Sequence, residues 1–411
     1  MSLSLPASLL PADGRFGCGP SKVRPAQLQA LVAAGHTVLG TSHRQAPVKN
    51  LVASIRSGLA DLFSLPDGYE VVLGNGGTTA FWEVATACLV EQRSQHATFG
   101  EFSAKFAAST RLAPHLDQPV VISAEAGCVA HLRYEADASG GKSVGEASGG
   151  APIDVYATVH NETSTGAMVD PVRITRPDGS PAGLMLVDAT SGAGGLPVDI
   201  SQSDVYYFSP QKSFGSDGGL WVAIASPAAI ERAARIETAT SAGHSSPADA
   251  SDHADASSRA YPQRWIPEFL SFTTAVDNSR KDQTLNTPAV ATLAMFASQV
   301  DWMLQGGGLP WAVGRSAANA AHVYQWAQSR PWASPFVADP AHRSTVVATI
   351  DLDAAIDAAA VVSTLRDNGI LDVFPYRKLG RNQLRIGMFP AIDLADIQAL
   401  TACVDYIIDH H

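Results

Sequence analysis

Short apolar segments, each long enough for one β-strand, recur through the first half of the chain and limit the folds open to it. They lie at residues 70–74, 119–122, 155–159, 184–187, 205–208 and 220–225. Segments of helical length separate most of them; residues 78–91, for example, place Phe81, Val84 and Cys88 on one helix face. This alternation predicts an α/β fold with a mostly parallel sheet, in which ligands bind at the carboxyl ends of the strands.

The second half of the chain has a different pattern, with two long helical segments followed by alternating strands and helices. These segments lie at 289–304, 313–329, 345–350, 354–368, 383–386 and 394–408. Because 411 residues exceed what one compact core usually holds, we predict a large domain over 15–288, a smaller α+β domain over 289–411 and an N-terminal segment over 1–14. Two low-complexity stretches, 136–152 and 238–259, predict exposed, mobile insertions in the large domain.

The overall composition excludes several classes of protein. The 39 acidic residues outnumber the 28 basic ones, which argues against a nucleic-acid-binding protein. No apolar run reaches the ~18 residues of a membrane span. The four cysteines are scattered and none forms a C-x-x-C pair, which argues against a zinc site and against a disulfide framework. We therefore expect a cytoplasmic protein with reduced thiols and no structural metal.

A lysine and an aspartate each follow an apolar strand, and together they predict the chemistry. Lys212 comes shortly after the strand that ends at Phe208, and Asp188 directly ends the strand before it. A lysine amine at a strand end can form a Schiff base, and a carboxylate at the neighbouring strand end can hold a pyridine nitrogen protonated. This pair favours an enzyme that uses pyridoxal 5'-phosphate (PLP).

Three further patterns supply polar groups for such a site. The sequence Gly-Asn-Gly-Gly-Thr-Thr at 74–79 joins a strand to a helix and predicts a phosphate cradle at the helix N-terminus. Residues 161–166 place hydroxyl groups at a strand end, as a ring substituent would need, although an ordinary turn has the same composition. His43 and Arg44 in a polar turn, and Arg385 within an apolar strand, are candidate anion binders; the alternative for Arg385 is a structural ion pair.

Together these motifs resemble the phosphoserine aminotransferase family of PLP enzymes. The matching segments are Phe-Gly-Cys-Gly-Pro-Ser at 16–21, Ser-His-Arg at 42–44, Asn-Gly-Gly-Thr at 75–78, Asn-Glu-Thr at 161–163, Asp188, Ser-Pro-Gln-Lys at 209–212, Asn-Thr-Pro at 286–288 and Leu-Arg-Ile-Gly-Met-Phe at 384–389. The resemblance covers most of the chain outside the two insertions and the extreme N-terminus. It implies the PLP-dependent transferase fold (fold type I), with a mostly parallel seven-stranded sheet in the large domain.

The resemblance also implies a role for each residue of the cofactor site. Lys212 would form the Schiff base and move the proton, Asp188 would pair with the pyridine nitrogen, and Phe102 stands where the family usually has a ring-stacking Trp. The other cofactor-binding residues implied are Gly77, Thr78 and Gln211 at the phosphate, Thr163 at the ring hydroxyl, and Asn286 and Thr287 at the phosphate of the neighbouring subunit's cofactor. That last pair requires a homodimer with a shared active site.

On the substrate side the sequence departs from the family pattern. The residues implied are Arg385 for the α-carboxylate, and His43 and Arg44 for the phosphate. Thr78 stands where the bacterial pattern has an Arg, and Lys378 stands where it has a His. We expect Lys378 or Arg381 to supply the positive charge that these changes remove.

The reaction implied is reversible transfer of an amino group from L-glutamate to 3-phosphohydroxypyruvate, giving O-phospho-L-serine and 2-oxoglutarate in serine biosynthesis. The phosphorylated keto acid of pyridoxine (vitamin B6) biosynthesis is a possible second substrate. Alternatives are an alanine–glyoxylate type aminotransferase, a cysteine desulfurase and a non-catalytic dimer that binds PLP or a sugar nucleotide. A desulfurase requires a mobile catalytic cysteine, and no cysteine lies in a Gly/Ser-rich loop near Arg385.

Overall fold

A computed structural model describes residues 3–135, 151–242 and 264–410 of the chain. The first predicted insertion lies outside these residues, apart from 151–152. The second differs from expectation in its first five residues, because a helix runs from Pro227 to Ala242; residues 243–259 lie outside the described part.

The large sheet contains seven strands in the order β1-β9-β8-β7-β4-β2-β3. The strands of the first half are β1 (Glu70–Asn75), β2 (Ser94–Thr98), β3 (Val120–Ser123), β4 (Val155–Val159), β5 (Asn161–Glu162), β6 (Ala167–Met168), β7 (Leu184–Asp188), β8 (Val205–Phe208) and β9 (Leu220–Ala225). Only β9 runs antiparallel to its neighbours, while β5 and β6 form a separate short hairpin. This confirms the predicted α/β fold with a mostly parallel sheet.

Strand β2 is absent from the sequence prediction because its residues are polar. Its sequence is Ser-Gln-His-Ala-Thr, yet all five residues are buried. The His96 ring accepts or donates hydrogen bonds with Ser94 Oγ at 2.9 Å and Thr110 Oγ1 at 3.0 Å. These hydrogen bonds offset the cost of burying polar side chains, so the strand is buried although its sequence has no apolar pattern.

Helices cover both faces of the large sheet. The helices are α1 (Pro25–Ala34), α2 (Ala46–Phe63), α3 (Thr78–Cys88), α4 (Glu101–Leu112), α5 (Pro227–Ala242), α6 (Phe272–Ser279), α7 (Val290–Gly306), α8 (Gly308–Gln328), α9 (Ala358–Asp367) and α10 (Leu394–His410). Residues Tyr206 and Phe208 pack on the α2 and α7 side, whereas Val205 and Tyr207 pack on the α3 side. Burial on both faces explains the continuous apolar runs that marked these strands in the sequence. No helix in the described ranges has the length and apolarity needed to cross a bilayer.

A second core surrounds a three-stranded antiparallel sheet in the order β10-β11-β12. Its strands are β10 (Ala333–Pro335), β11 (Val347–Leu352) and β12 (Gln383–Gly387). The end of α8, α9 and α10 pack on it, and so do Leu5 of the N-terminal segment and Phe16 at the start of the predicted large domain. Helix α7 instead buries Leu293 and Phe296 in the large core. We therefore place the change between the two cores within α8, later than the predicted boundary at residue 289.

Candidate active site

Lys212 lies just beyond the carboxyl end of β8, covered by residues 18–19. Its side chain is 8% exposed, and its Nζ donates a hydrogen bond of 2.6 Å to the carbonyl oxygen of Cys18. Gly19 has φ +135°, and a Cβ there would overlap Lys212 Cε, so only glycine permits this approach. Burial lowers the pKa of Lys212 to about 8, and the positive charge of Arg385 acts in the same direction. A useful fraction of the amine is therefore neutral, as a nucleophile or base must be.

Asp188 ends β7, the strand next to β8, and its carboxylate is buried. It accepts hydrogen bonds from Thr190 N at 2.9 Å, Thr190 Oγ1 at 2.6 Å and Trp82 Nε1 at 3.0 Å. Burial raises the pKa of the carboxyl, and these three hydrogen bonds oppose that shift. No cationic side chain of the described residues lies within ion-pair distance. A buried carboxylate of this kind is suited to pairing with a cationic ligand group.

The predicted phosphate cradle lies at the start of α3. Gly77 precedes the helix in an extended conformation, and the first helical turn, which begins at Thr78, leaves backbone N–H groups without intrahelical partners. The Oε1 atom of Gln211, one residue before Lys212, is buried and accepts no hydrogen bond. Thr78 Oγ1 contacts Thr190 Oγ1 at 2.8 Å, which connects the cradle to the Asp188 end of β7. The free N–H groups, together with the amide nitrogen of Gln211, are donors that can serve a phosphate.

Residues after β4 supply a group of buried hydroxyls beside Asp188. Thr163 Oγ1 donates to Ser191 Oγ at 2.8 Å, and Asn161 Nδ2 donates to the same oxygen at 2.8 Å. The Oδ1 atom of Asn161 is buried without a hydrogen-bond partner. Asn161 and Ser191 therefore join Thr163 as polar groups available to a bound ligand, although the sequence motif singled out only Thr163.

Phe102 lies in the first turn of α4, where its ring faces the lysine. The ring centroid is 5.9 Å from Lys212 Nζ and 6.0 Å from the ring of Tyr376. Glu162 holds this turn in place, because its carboxylate accepts hydrogen bonds from Phe102 N at 3.1 Å and Ser103 N at 3.0 Å. Sequence reasoning missed Glu162; the only signal was a charged residue three positions after the buried strand β4.

Arg385 lies on β12 and reaches the large domain. It is 9% exposed, and its Nη1 donates to the carbonyl oxygen of Thr163 at 3.3 Å. Its Nε is buried without a partner, and among the described residues no carboxylate pairs with it. The alternative of a structural ion pair therefore finds no support in the described part of the chain. The guanidinium is free to bind a carboxylate with two hydrogen bonds.

The remaining predicted residues form a second group. His43 Nδ1 and Thr287 Oγ1 are 3.2 Å apart, Arg44 Nη1 donates to Gln283 Oε1 at 3.2 Å, and Asn75 Nδ2 donates to the carbonyl oxygen of Asn286 at 3.2 Å. Within the described ranges, no hydrogen bond or ion pair connects His43, Arg44, Asn286 or Thr287 with Lys212, Asp188 or Arg385. The predicted site residues thus fall into two groups in one chain.

Comparison with known proteins identifies the family. No family model matches the chain. It is 56% identical over 406 residues to the phosphoserine aminotransferase of Corynebacterium glutamicum, covering 99% of this chain and 97% of that protein. It is 54% identical over 404 residues to the phosphoserine aminotransferase of Rhodococcus opacus, covering 98% and 97%. The chain belongs to the phosphoserine aminotransferase family. The crystal structure of a phosphoserine aminotransferase from Cytophaga hutchinsonii, 22% identical, shares the fold, with a TM-score of 0.77 over 96% of this chain and 99% of that one.

Two residues expected to compensate for departures from the phosphoserine aminotransferase pattern have different surroundings. Lys378 is exposed and pairs with Glu101 at the start of α4, close to Phe102. Arg381 makes two hydrogen bonds to Asp351, at 2.6 and 3.0 Å. Each of the two cations thus already pairs with a carboxylate, and both stay candidates for the substrate phosphate.

Proposed function

We propose that this chain is a PLP-dependent phosphoserine aminotransferase, which transfers an amino group reversibly from L-glutamate to 3-phosphohydroxypyruvate. The products are O-phospho-L-serine and 2-oxoglutarate. The observation that carries the proposal is the placement of a buried lysine amine and a buried carboxylate without a cationic partner at adjacent strand ends, beside an unpaired arginine. Relatives at 54–56% identity with that name support the assignment, and not an alanine–glyoxylate type enzyme or a non-catalytic dimer.

The residues present fit PLP. Asp188 would hold the ring nitrogen, Thr163 the ring hydroxyl, and Phe102 one face of the ring. The phosphate would accept hydrogen bonds from the N–H groups at Gly77 and Thr78 and from the amide nitrogen of Gln211. When bound, the cofactor supplies an electron sink for the Cα electrons of the substrate.

The chain's own groups bind the substrate and move its proton. Arg385 binds the α-carboxylate, which both substrates share, so one site serves each in turn. The Lys212 amine accepts and returns the Cα proton, and its pKa of about 8 keeps both protonation states accessible. The carbonyl of Cys18 holds the Nζ atom in place when Lys212 is not covalently engaged.

A cysteine desulfurase is disfavoured by the state of the cysteine nearest to Lys212. Cys18 is buried, and burial raises the pKa of its thiol, although Arg385 and Lys212 act against that shift. A thiol held protonated is a poor nucleophile.

All four cysteines are described and unpaired, which supports a cytoplasmic location.

We further propose that two chains share each active site, with His43 and Arg44 binding the substrate phosphate in the neighbouring subunit. Because His43 contacts Thr287, the turn that carries Arg44 must accompany Asn286 and Thr287 to whichever site they serve. Helix α1, which precedes this turn, exposes Leu28 by 49% and Val32 by 74%. Two apolar residues one helical turn apart favour burial against a second copy. Lys378 of the same chain remains a candidate for further positive charge.

The cofactor and reaction can be tested together by absorbance. We expect the purified protein to carry the visible band of bound PLP and to lose it on addition of O-phospho-L-serine. Lys212→Ala should abolish both the band and transamination, whereas Lys49→Ala on α2 should change neither. A coloured and active Lys212→Ala protein would refute the assignment.

A further inference from the structure

Trp82 contacts Asp188 directly, although no sequence motif marks it. It lies in the second turn of α3 and is 4% exposed. Its Nε1 donates to Asp188 Oδ2 at 3.0 Å. An indole N–H can donate a hydrogen bond but cannot accept one, so this contact requires an acceptor atom on Asp188.

The same helix also reaches the second oxygen of Asp188. Thr190 donates to Oδ1 through both its backbone N–H and its hydroxyl. Since the Thr190 hydroxyl proton is used in this way, its oxygen accepts from Thr78 Oγ1 at 2.8 Å. Thr78 and Trp82 are four residues apart and lie on the same helix face. Helix α3 therefore holds one oxygen of Asp188 directly and the other through Thr190.

This arrangement acts against the cost of burying the carboxylate. Burial favours the protonated acid, which cannot accept a proton from a ring nitrogen, whereas each of the three donors binds the charged form more strongly. Among other titratable groups facing Asp188, Lys212 after β8 favours the charged form, and Glu162 in β5 opposes it. Tyr206 and Tyr207 of β8 also face it, and burial raises the pKa of both phenols, so they remain neutral.

We propose that Trp82 is a positioning residue for the cofactor, keeping Asp188 ionised and aimed at the ring nitrogen of PLP with the help of Thr190. The proposal rests on the cofactor of the proposed function and not on its substrate. It also gives Thr78 a place in the network around Asp188, at a position where the family pattern has a phosphate-binding arginine.

The test is the affinity for PLP, measured without substrate over a range of pH. Trp82→Phe keeps a large aromatic ring but removes the N–H donor. Losing this donor should raise the pKa of Asp188. The acid limb, the low-pH range in which PLP affinity falls as Asp188 is protonated, should therefore shift to higher pH by about one unit. We expect about tenfold weaker binding at a pH on that limb and less than about twofold weaker binding well above it.

Trp326→Phe is the matched control, because Trp326 Nε1 also donates to a carboxylate, Asp405 Oδ1 at 2.9 Å, but in the small domain. Its profile should coincide with that of the wild type. Weakening of equal size at every pH in Trp82→Phe would indicate lost packing alone and would overturn the proposal, as would an unchanged profile.

If Trp82→Phe does not fold, Thr190→Val removes the other side-chain donor and should move the acid limb in the same direction; an unmoved limb would overturn the proposal. A shifted limb in a protein without phosphoserine activity would reject the substrate assignment and retain the role of Trp82. A wild-type protein that binds no PLP would overturn both.

Discussion

Burial lowers the pKa of the Lys212 amine, and this same shift makes the stability of the folded protein depend on pH. The pKa is lowered from an ordinary value of 10.5 to about 8, with desolvation as the main cause. In the unfolded chain the amine is solvated and keeps the higher pKa. Below about pH 8 both states carry the proton, and the folded state bears the full cost of burying the charge. Above that pH the folded state loses its proton first, so the cost disappears as the pH approaches 10.5.

This difference predicts a pH dependence in the cofactor-free protein. Lys212→Met should be more stable than the wild type near neutral pH, by on the order of 3 kcal/mol at most, and the gap should close between about pH 8 and 10.5. Denaturant unfolding of both proteins across this range measures the gap. A gap that stays constant with pH would show that Lys212 titrates normally in the folded state.

The two proposed anion-binding arginines should respond differently to substitution. Arg44→Ala should raise KM for O-phospho-L-serine by roughly tenfold or more and leave KM for L-glutamate nearly unchanged, because only the first substrate carries a phosphate. Arg385→Gln should weaken the binding of both substrates, since both carry the α-carboxylate. Steady-state kinetics with each substrate measures the split. Equal effects of Arg44→Ala on both substrates would remove Arg44 from the phosphate role.

Local motifs mark the residues that end strands, but not the residues that position them. Lys212, Asp188 and Thr163 follow apolar runs and could be found from the sequence. Trp82 is 106 positions from Asp188, and Glu162 is 60 from Phe102. A tryptophan within an amphipathic helix is usually a core residue, so nothing in its local sequence indicates the contact with a carboxylate.

At the scale of elements, a buried carboxylate organises the start of α4. Glu162 accepts hydrogen bonds from the backbone and side chain of Ser103, and from the backbone of Phe102. Negative charge at a helix N-terminus is favourable because it meets free N–H groups and the positive end of the helix dipole. The orientation of the Phe102 ring toward Lys212 depends on this cap.

Gly100 lies directly under the cap, and its replacement tests the arrangement. A Cβ there would overlap Glu162 Cγ and lie 2.6 Å from Ser164 Oγ. We expect Gly100→Ala to lower the free energy of unfolding by about 1–3 kcal/mol through loss of hydrogen bonds to a buried charge. Gly314→Ala in α8, where a Cβ meets nothing within 4 Å, should be neutral or stabilising by up to about 1 kcal/mol. Thermal unfolding compares them; similar melting temperatures would contradict the role of the cap.

The whole molecule brings the predicted site residues together as two groups rather than one. Lys212 and Asp188 lie at the carboxyl edge of the large sheet, and Arg385 reaches them from the middle of β12. In the described residues, the second group makes no hydrogen bond to these three. In it His43 contacts Thr287, and Asn75 at the start of the cradle donates to Asn286. The proposed site shared by two subunits would explain the two groups, because each chain would contribute one group to its own site and the other to its partner's.

Mixing two variants tests the sharing, with activity measured at an O-phospho-L-serine concentration low enough that Arg44→Ala alone has little activity. Lys212→Ala and Arg44→Ala damage different groups, so a mixed dimer contains one site with both defects and one intact site. After unfolding and refolding an equal mixture, about a quarter of the wild-type activity should return, since half of the dimers are mixed and half of their sites are intact. Each variant unfolded and refolded alone gives the baseline activity. No recovery in a verified mixed dimer would place both groups in the site of one chain.

The sequence by itself determined the fold class, the family, and the lysine and carboxylate that define the chemistry, because these depend on short apolar runs and the residues that end them. Only the tertiary structure decided that α7 packs with the large core and that Arg381 pairs with Asp351. It also decided that Trp82 contacts Asp188 and that Glu162 contacts the start of α4. Each of these depends on which distant segments come into contact. That is set by the packing of helices against two sheets, which no local pattern records.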